Sequence, residues 1–340
     1  MKIRAKAPLR LGIAGGGTDV SPFSDDYGGA ILNATINLYA YTFLETVDDE
    51  IVSFNADDIA LNESVNINSK LSLDGPLILH RAVYKRVMEE FNHSKYIPLK
   101  ITTFCDAPPG SGLGSSSALV VSMLEAFRQL LSLPLGEYDI AKLAYDIERI
   151  DCNLSGGKQD QYAAAFGGFN FMEFGRDDTV IVNPLRIRRH IINELESSTI
   201  LFFSGVSRDS SKIITDQVDS IIKGGVALEA MHDIKRSAYK LKGELLRGNI
   251  HEMALGMRAS WDAKKATSTS ISNANILKLE KGILKAGATS MKVSGAGGGG
   301  FIMIFVEPEL KLSVIKSLQN FDGNVVNFEF TSGGAISWTI

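Results

Sequence analysis

Residues 108–122 read Pro-Pro-Gly-Ser-Gly-Leu-Gly-Ser-Ser-Ser-Ala-Leu-Val-Val-Ser, a glycine and serine loop that turns abruptly apolar. A helix beginning near Ser116 would point its unpaired N–H groups and partial positive charge at that loop, worth about 0.3–1 kcal/mol to a nearby anion. Glycines let a backbone wrap phosphate oxygens, and a serine hydroxyl in the first turn either caps the helix or faces a metal ion. A flexible linker has no reason to run straight into an apolar helix. The loop therefore reads as a nucleotide-phosphate cradle or as a serine-capped turn, and composition alone leaves both open. No lysine follows the second glycine, so it is not the G-x-x-x-x-G-K-[ST] loop.

Three other stretches carry similar chemistry. In "PLRLGIAGGGTDV" (8–20) a strand bearing Arg10 breaks into Gly15, Gly16 and Gly17 before Thr18 and Asp19. In "IERIDCNLSGGKQDQYAAAFGG" (147–168) Glu148 falls on a helical pattern and Asp160 follows a Gly-Gly turn. In "VSGAGGGGFIMI" (293–304) five glycines separate two apolar strand patterns. Each has a plainer reading: Asp19 and Asp160 as turn carboxylates, Glu148 on a solvated helix face, the last glycines as a hairpin. A dinucleotide site on the early glycines fails, because "GIAGGG" lacks the G-x-G-x-x-G spacing.

The elements that must position these residues follow from periodicity. Residues 2–14 alternate as a strand, and "LYAYTFLE" (38–45) and "LKITTF" (99–104) do the same. Pro76 opens a stretch with Leu79, Val83, Val87 and Phe91 at helical spacing. Helices are expected from Ser117 to Leu131 and over 137–150. Beyond a charge-rich 175–190 come a strand (200–205), long amphipathic runs over roughly 209–286, a strand pair within 291–307, a short helix and a closing strand. The expected domains are 1–185 and 186–340. Residues 55–75, rich in Asn and Ser, read as an exposed excursion.

The chain has 340 residues, 45% of them hydrophobic, which suits two domains better than one. With 35 basic against 39 acidic side chains there is no global footprint for nucleic acid or an anionic membrane. Cys105 and Cys152 make no CxxC or Cys/His cluster, and the five histidines fall in no ligand spacing, which argues against a disulfide scaffold or zinc site. The "MKIRAKAPLR" start lacks the apolar core of a signal peptide, so a cytoplasmic protein is expected.

Taken together and in order, the four motifs resemble those of the GHMP kinases, the superfamily of galactokinase, homoserine kinase and mevalonate kinase, with Pro-x-x-Gly-Leu-Gly-Ser-Ser at 109–116. Gly-Gly-Gly-Thr-Asp at 15–19, where galactokinases have Gly-Glu-His-Thr-Asp, and "GGKQDQYAAAFGGFN" are similar to the subgroup of anomeric sugar kinases. The resemblance implies an α+β fold of two domains, an N-terminal ribosomal-protein-S5-like α/β domain and a C-terminal ferredoxin-like one, with the active site between them. It implies ATP and Mg²⁺, a sugar as acceptor with a seven-carbon sugar phosphate favoured over a free sugar, and no nucleic acid or membrane partner; a homodimer is compatible with it. A silent sugar and nucleotide sensor is the rival from another class.

Residue by residue, the resemblance makes Asp160 the general base and Arg10 the cation that holds its charge and stabilises the acceptor oxygen. It gives the nucleotide phosphates to Pro109, Gly110, Ser111, Gly112, Leu113, Gly114, Ser115, Ser116 and Ser117. Magnesium goes to Ser116 and Glu148, with the serine uncertain by one position. The sugar faces Gly16, Gly17, Thr18 and Asp19, with Gly297 and Gly298 as a wall. A phosphorylated acceptor also needs a cationic anchor, for which Arg208, Lys212 and Lys158 are the candidates, each of them equally readable as a solvated charge.

Overall fold

The computed structural model describes residues 1–206 and 210–340. The first half of the chain runs β1 (Lys2–Ala14), α1 (Phe23–Tyr27), β2 (Gly29–Thr46), β3 (Ile51–Ala56), β4 (Leu61–Asn66), α2 (Ile78–Phe91), β5 (Leu99–Cys105), α3 (Ser115–Leu131), α4 (Glu137–Asp146), α5 (Gln159–Phe166), β6 (Phe169–Phe174) and β7 (Val180–Pro184). The second half runs α6 (Arg189–Ser197), β8 (Thr199–Phe203), α7 (Ser210–Ile222), α8 (Val226–Arg247), α9 (Ile250–Thr267), α10 (Ala274–Lys285), β9 (Ala288–Val293), β10 (Phe301–Val306), α11 (Lys311–Leu318), β11 (Asn324–Val326) and β12 (Ile336–Thr339). Strand and helix expectations around the four motifs coincide with β1, β2, β5, α2, α3 and α4. The 55–75 excursion instead carries β4, which pairs antiparallel with β3.

Two sheets organise these elements. The first, in the order β12-β1-β2-β5-β3-β4, also pairs β6 with β2 and β7 with β6. Its β3–β5 ladder is parallel, and its other ladders are antiparallel. The second has the order β11-β8-β10-β9 with every pair antiparallel. Numbered along the chain that order is 4-1-3-2, with helices between its first and second and its third and fourth strands, the ferredoxin-like arrangement. The chain's last strand does not stay with this unit. β12 returns to pair with β1, from Ile3 opposite Thr339 to Lys6 opposite Ile336.

Strand β1 explains where the site lies. Its first residues alternate, with Ile3 and Ala5 buried and Lys2 and Arg4 exposed, but from Ala7 to Ala14 every residue is buried. A strand reads as a continuous buried run only when both of its faces are covered. Helix α3 packs on β1 from the first half, and α8 and α9 reach it from the second half. Arg10 falls inside this doubly covered stretch, out of phase with the core residues Leu9 and Leu11.

Candidate active site

A cleft of about 360 Å³ opens where the first sheet's glycine turns meet helices α7 and α9. At its centre Asp160, in the first turn of α5, is held by Arg10. Both Nε (2.7 Å) and Nη2 (2.6 Å) of the arginine reach Asp160 Oδ1, while Oδ2 carries neither contact. Arg10 is itself pinned, with Nη1 donating to the Gly112 carbonyl (2.7 Å) and the Ser294 hydroxyl (3.3 Å), and its backbone N–H donating to the Leu113 carbonyl (3.0 Å). One side chain therefore joins Asp160, the 108–114 loop and the 294–300 loop. The predicted pair of Asp160 and Arg10 is brought together.

The 108–114 loop alternates in role. Gly110, Gly112, Gly114 and Ser115 to Ser117 line the cleft, whereas Ser111 and Leu113 are fully buried behind it and Pro109 stands exposed on its shoulder. Helix α3 starts at Gly114, φ +76°, without any side chain capping it. Its first N–H groups thus remain directed at the cleft, the state a bound phosphate would use. Gly114 also abuts Asp160, since a Cβ there would lie 3.2 Å from its Oδ2.

The two glycine loops touch backbone to backbone. A Cβ on Gly112 would stand 2.4 Å from the Ser294 carbonyl oxygen, and one on Gly300 2.2 Å from that of Ser111, while the Phe301 N–H donates to the same Ser111 oxygen (2.9 Å). No other residue permits that approach at the positive φ these positions hold, +87° and +85°.

Glu148 sits where α4 widens into a π-helical turn over Ile147–Asp151, a feature common at functional sites. Its carboxylate accepts from Ser117 Oγ (2.7 Å) and from Gln161 Nε2, with Arg149 at 3.8 Å. Burial pushes its pKa up, opposed by the Arg149 charge and these hydrogen bonds. The serine beside Glu148 is therefore Ser117, one position beyond the expected Ser116, which is exposed in the same cleft. Among the described residues Gln161 Oε1 is buried with no partner, so this corner offers oxygen donors of the kind magnesium takes.

Asp19 is 2% exposed and accepts from the Gln159 backbone N–H (3.0 Å) and Gln159 Nε2 (3.3 Å), which ties the early glycine turn to the start of α5. Burial raises its pKa, helped by the Asp160 charge and opposed by the Gln159 N–H. Gly17 and Asp19 line the cleft as expected.

Several expectations are corrected. Thr18 does not face a ligand: its hydroxyl donates to the Gly15 and Ala30 carbonyls (2.8 and 3.1 Å) and accepts from the Ala30 N–H (3.0 Å), so closing the turn consumes it. Lys158 turns to Asp178 (2.7 Å) and over the Tyr145 ring. Helix α7 presents Ser211, Ile214 and Gln217 to the cleft, which leaves Lys212 in solvent. Gly297 and Gly298 pack on Ile271 and Asn273, and it is Gly295 that borders the cleft. Arg208 lies outside the described residues.

Two cleft cations were not anticipated, Arg149 and Lys264. Lys264, on α9, is 4% exposed and donates to the Gly295 carbonyl (2.7 Å). Burial, and next the Arg10 charge, lower its pKa to about 8. A signal was present: Lys264 continues the spacing of the buried Met253, Met257 and Trp261, a lysine on the apolar phase of an amphipathic helix. Behind it Lys292 donates to the Gly12 and Ile13 carbonyls (2.6 and 3.2 Å), with its pKa pushed well down by burial.

Comparison with known proteins agrees with this geometry. Residues 78–168 match the family model described as GHMP kinases N terminal domain, and residues 241–321 the one described as GHMP kinases C terminal. A protein of Campylobacter jejuni named D-glycero-alpha-D-manno-heptose 7-phosphate kinase is 45% identical over 340 residues, 99% of each chain. A crystal structure titled as a D-glycero-D-manno-heptose 1-phosphate kinase from Bacteroides thetaiotaomicron superposes with a TM-score of 0.85 at 47% identity, covering 99% of each chain. The Methanococcus jannaschii mevalonate kinase shares the fold with a TM-score of 0.76 at 19% identity, over 97% of this chain and 98% of that one.

Proposed function

The chain belongs to the GHMP kinases, and we propose from that premise that it transfers the γ-phosphoryl group of ATP to the anomeric oxygen of D-glycero-D-manno-heptose 7-phosphate, giving heptose 1,7-bisphosphate for nucleotide-activated heptose synthesis. It is a sugar kinase that consumes ATP. The observation that carries the finer reading is Asp160 gripped on one oxygen by Arg10, beside a helix start with no side-chain cap.

In this reading the N–H groups at the start of α3, with Gly110, Gly112 and Gly114, hold the nucleotide phosphates. Asp160 Oδ2 takes the proton of the anomeric hydroxyl as its oxygen attacks the γ-phosphorus, the P–O bond to the β-phosphate breaks, and ADP leaves. An anomeric hydroxyl is more acidic than an ordinary alcohol, so a positioned carboxylate suffices. Arg10 fixes that carboxylate and brings positive charge to the developing anion. Glu148 and a hydroxyl of Ser116 or Ser117 are the residues that would hold Mg²⁺, which neutralises charge on the phosphates when bound. Gly16, Gly17 and Asp19 border the sugar. The same reading keeps 1–185 and 186–340 as domains with β12 lent back to the first sheet, and places the enzyme in the cytoplasm, where ATP is supplied. Among the described residues no helix is long and apolar enough to cross a membrane.

The test is ATP consumption with magnesium against heptose 7-phosphate, fucose, galactose and mannose in parallel. Turnover of the heptose phosphate is expected, with Asp160→Asn lowering kcat about 10²–10⁴-fold while the melting transition stays cooperative. Turnover of fucose alone would move the substrate to a free sugar, and no turnover of any sugar would leave a sensor.

A further inference from the structure

The proposed acceptor carries a phosphate remote from the reacting hydroxyl, and of the three cations expected to hold it, Lys212 faces solvent and Lys158 is paired with Asp178. Lys264 is in the opposite condition. It is more than nine-tenths buried and lines the cleft, and among the described residues the one hydrogen bond from its Nζ goes to the Gly295 carbonyl. Among the described residues no carboxylate lies within 4.0 Å of it. An ammonium has three donors and is costly to bury, and the carboxylates that offset that cost here, Asp19 and Asp160, act from beyond ion-pair distance while the Arg10 charge opposes them. A protein keeps such a group where a ligand supplies the charge.

The space beside it is open for a reason written in the sequence. A Cβ on Gly16 would stand 3.6 Å from Lys264 Nζ, so any side chain at position 16 would cover the ammonium. Gly16 lies in the same turn as Gly17 and Asp19, the turn that borders the sugar in the reading above and that Asp19 ties to the start of α5. We propose, resting on the kinase reading above, that Lys264 binds the phosphate of the acceptor sugar and that Gly16 is the vacancy that admits it. This makes Lys264 the residue that separates phosphorylated from free acceptors.

The experiment compares wild type, Lys264→Met, Lys264→Arg and Gly16→Val on heptose 7-phosphate and on the same heptose without its phosphate, with Lys212→Met as a surface control. Losing a charge-assisted contact predicts a KM for heptose 7-phosphate about 30-fold higher in Lys264→Met. The KM for ATP should stay within about twofold, and kcat/KM for the free heptose within about threefold. Lys264→Arg should restore most of the loss, and Gly16→Val, at a position that also borders the sugar, should raise the KM for heptose 7-phosphate more than that for the free heptose with Lys264 intact, which keeps the test decisive if Lys264→Met folds poorly. Equal losses on both acceptors, or a rise confined to the KM for ATP, would overturn the assignment. Failure of the kinase reading shows in the wild type, as no turnover of heptose 7-phosphate, and would take this inference with it; failure of this inference alone shows as wild-type turnover without acceptor-dependent variant effects.

Discussion

The loops over 108–114 and 294–300 share a glycine-rich composition, yet they do different work. The first runs into an uncapped helix and offers N–H groups and serines to the cleft. The second joins two antiparallel strands, β9 and β10, and turns most of its glycines inward, against Ser111, Gly112 and Ile271. What separates them is the element that follows. A helix start leaves donors for a ligand, whereas a strand pair satisfies its own and leaves only shape. The 108–114 loop is therefore held by a second loop from another sheet, with Arg10 stitching the two together.

The largest expected effect comes from filling that contact. Gly300→Ala would drive a Cβ to 2.2 Å from the Ser111 carbonyl oxygen at a φ of +85°, so unfolding stability should fall by about 3 kcal/mol and the KM for ATP should rise. Gly297→Ala, whose Cβ would meet Ile271 at 2.9 Å, should cost stability in urea unfolding and spare ATP binding. If both variants left the KM for ATP untouched, the second loop would be a hairpin and no more.

An effect that reaches the same size only at the alkaline end of its pH window comes from Lys264, which ties the second loop to α9. Its folded pKa is lowered to about 8 from 10.5, so between those values the unfolded chain holds a proton that the folded one has released. Stability should therefore rise with pH across that window, by up to about 3 kcal/mol, and the gain should be lost as pH falls from 10.5 to 8, below which the slope vanishes. Unfolding curves of wild type and Lys264→Met should diverge on that slope, and parallel curves would refute it. The smallest effect belongs to the first loop: Ser117→Ala removes one hydrogen bond to Glu148, worth about 1 kcal/mol, and should raise the magnesium concentration for half-maximal rate about fivefold.

Much of this was legible in the chain. Strand alternation over 2–14, the helical spacing after Pro76 and the serine-to-apolar transition at 115–117 are local signals, and local signals set the elements that carry Arg10, Glu148 and Asp160. Asp160 beside Arg10 was reachable through the family resemblance and not from either motif alone, since a carboxylate after Gly-Gly reads equally as part of a turn. Thr18 was misread because a hydroxyl after three glycines can serve either a ligand or the turn, and only the position of Ala30 on the neighbouring strand decides which. Lys158 and Lys212 were misread for a similar reason, since a lysine's charge is visible in sequence but its direction is not.

By itself, then, the sequence determined the elements, the order of the motifs and the chemical types available at the cleft, because backbone periodicity and glycine placement act over a few residues. Only the tertiary structure decided which serine meets Glu148, which glycines bear on the phosphate loop, and that a lysine from α9, 254 positions after Arg10 in the chain, enters the same cleft. Those outcomes depend on how two sheets and their covering helices pack, and packing between distant segments leaves no period in the chain to read.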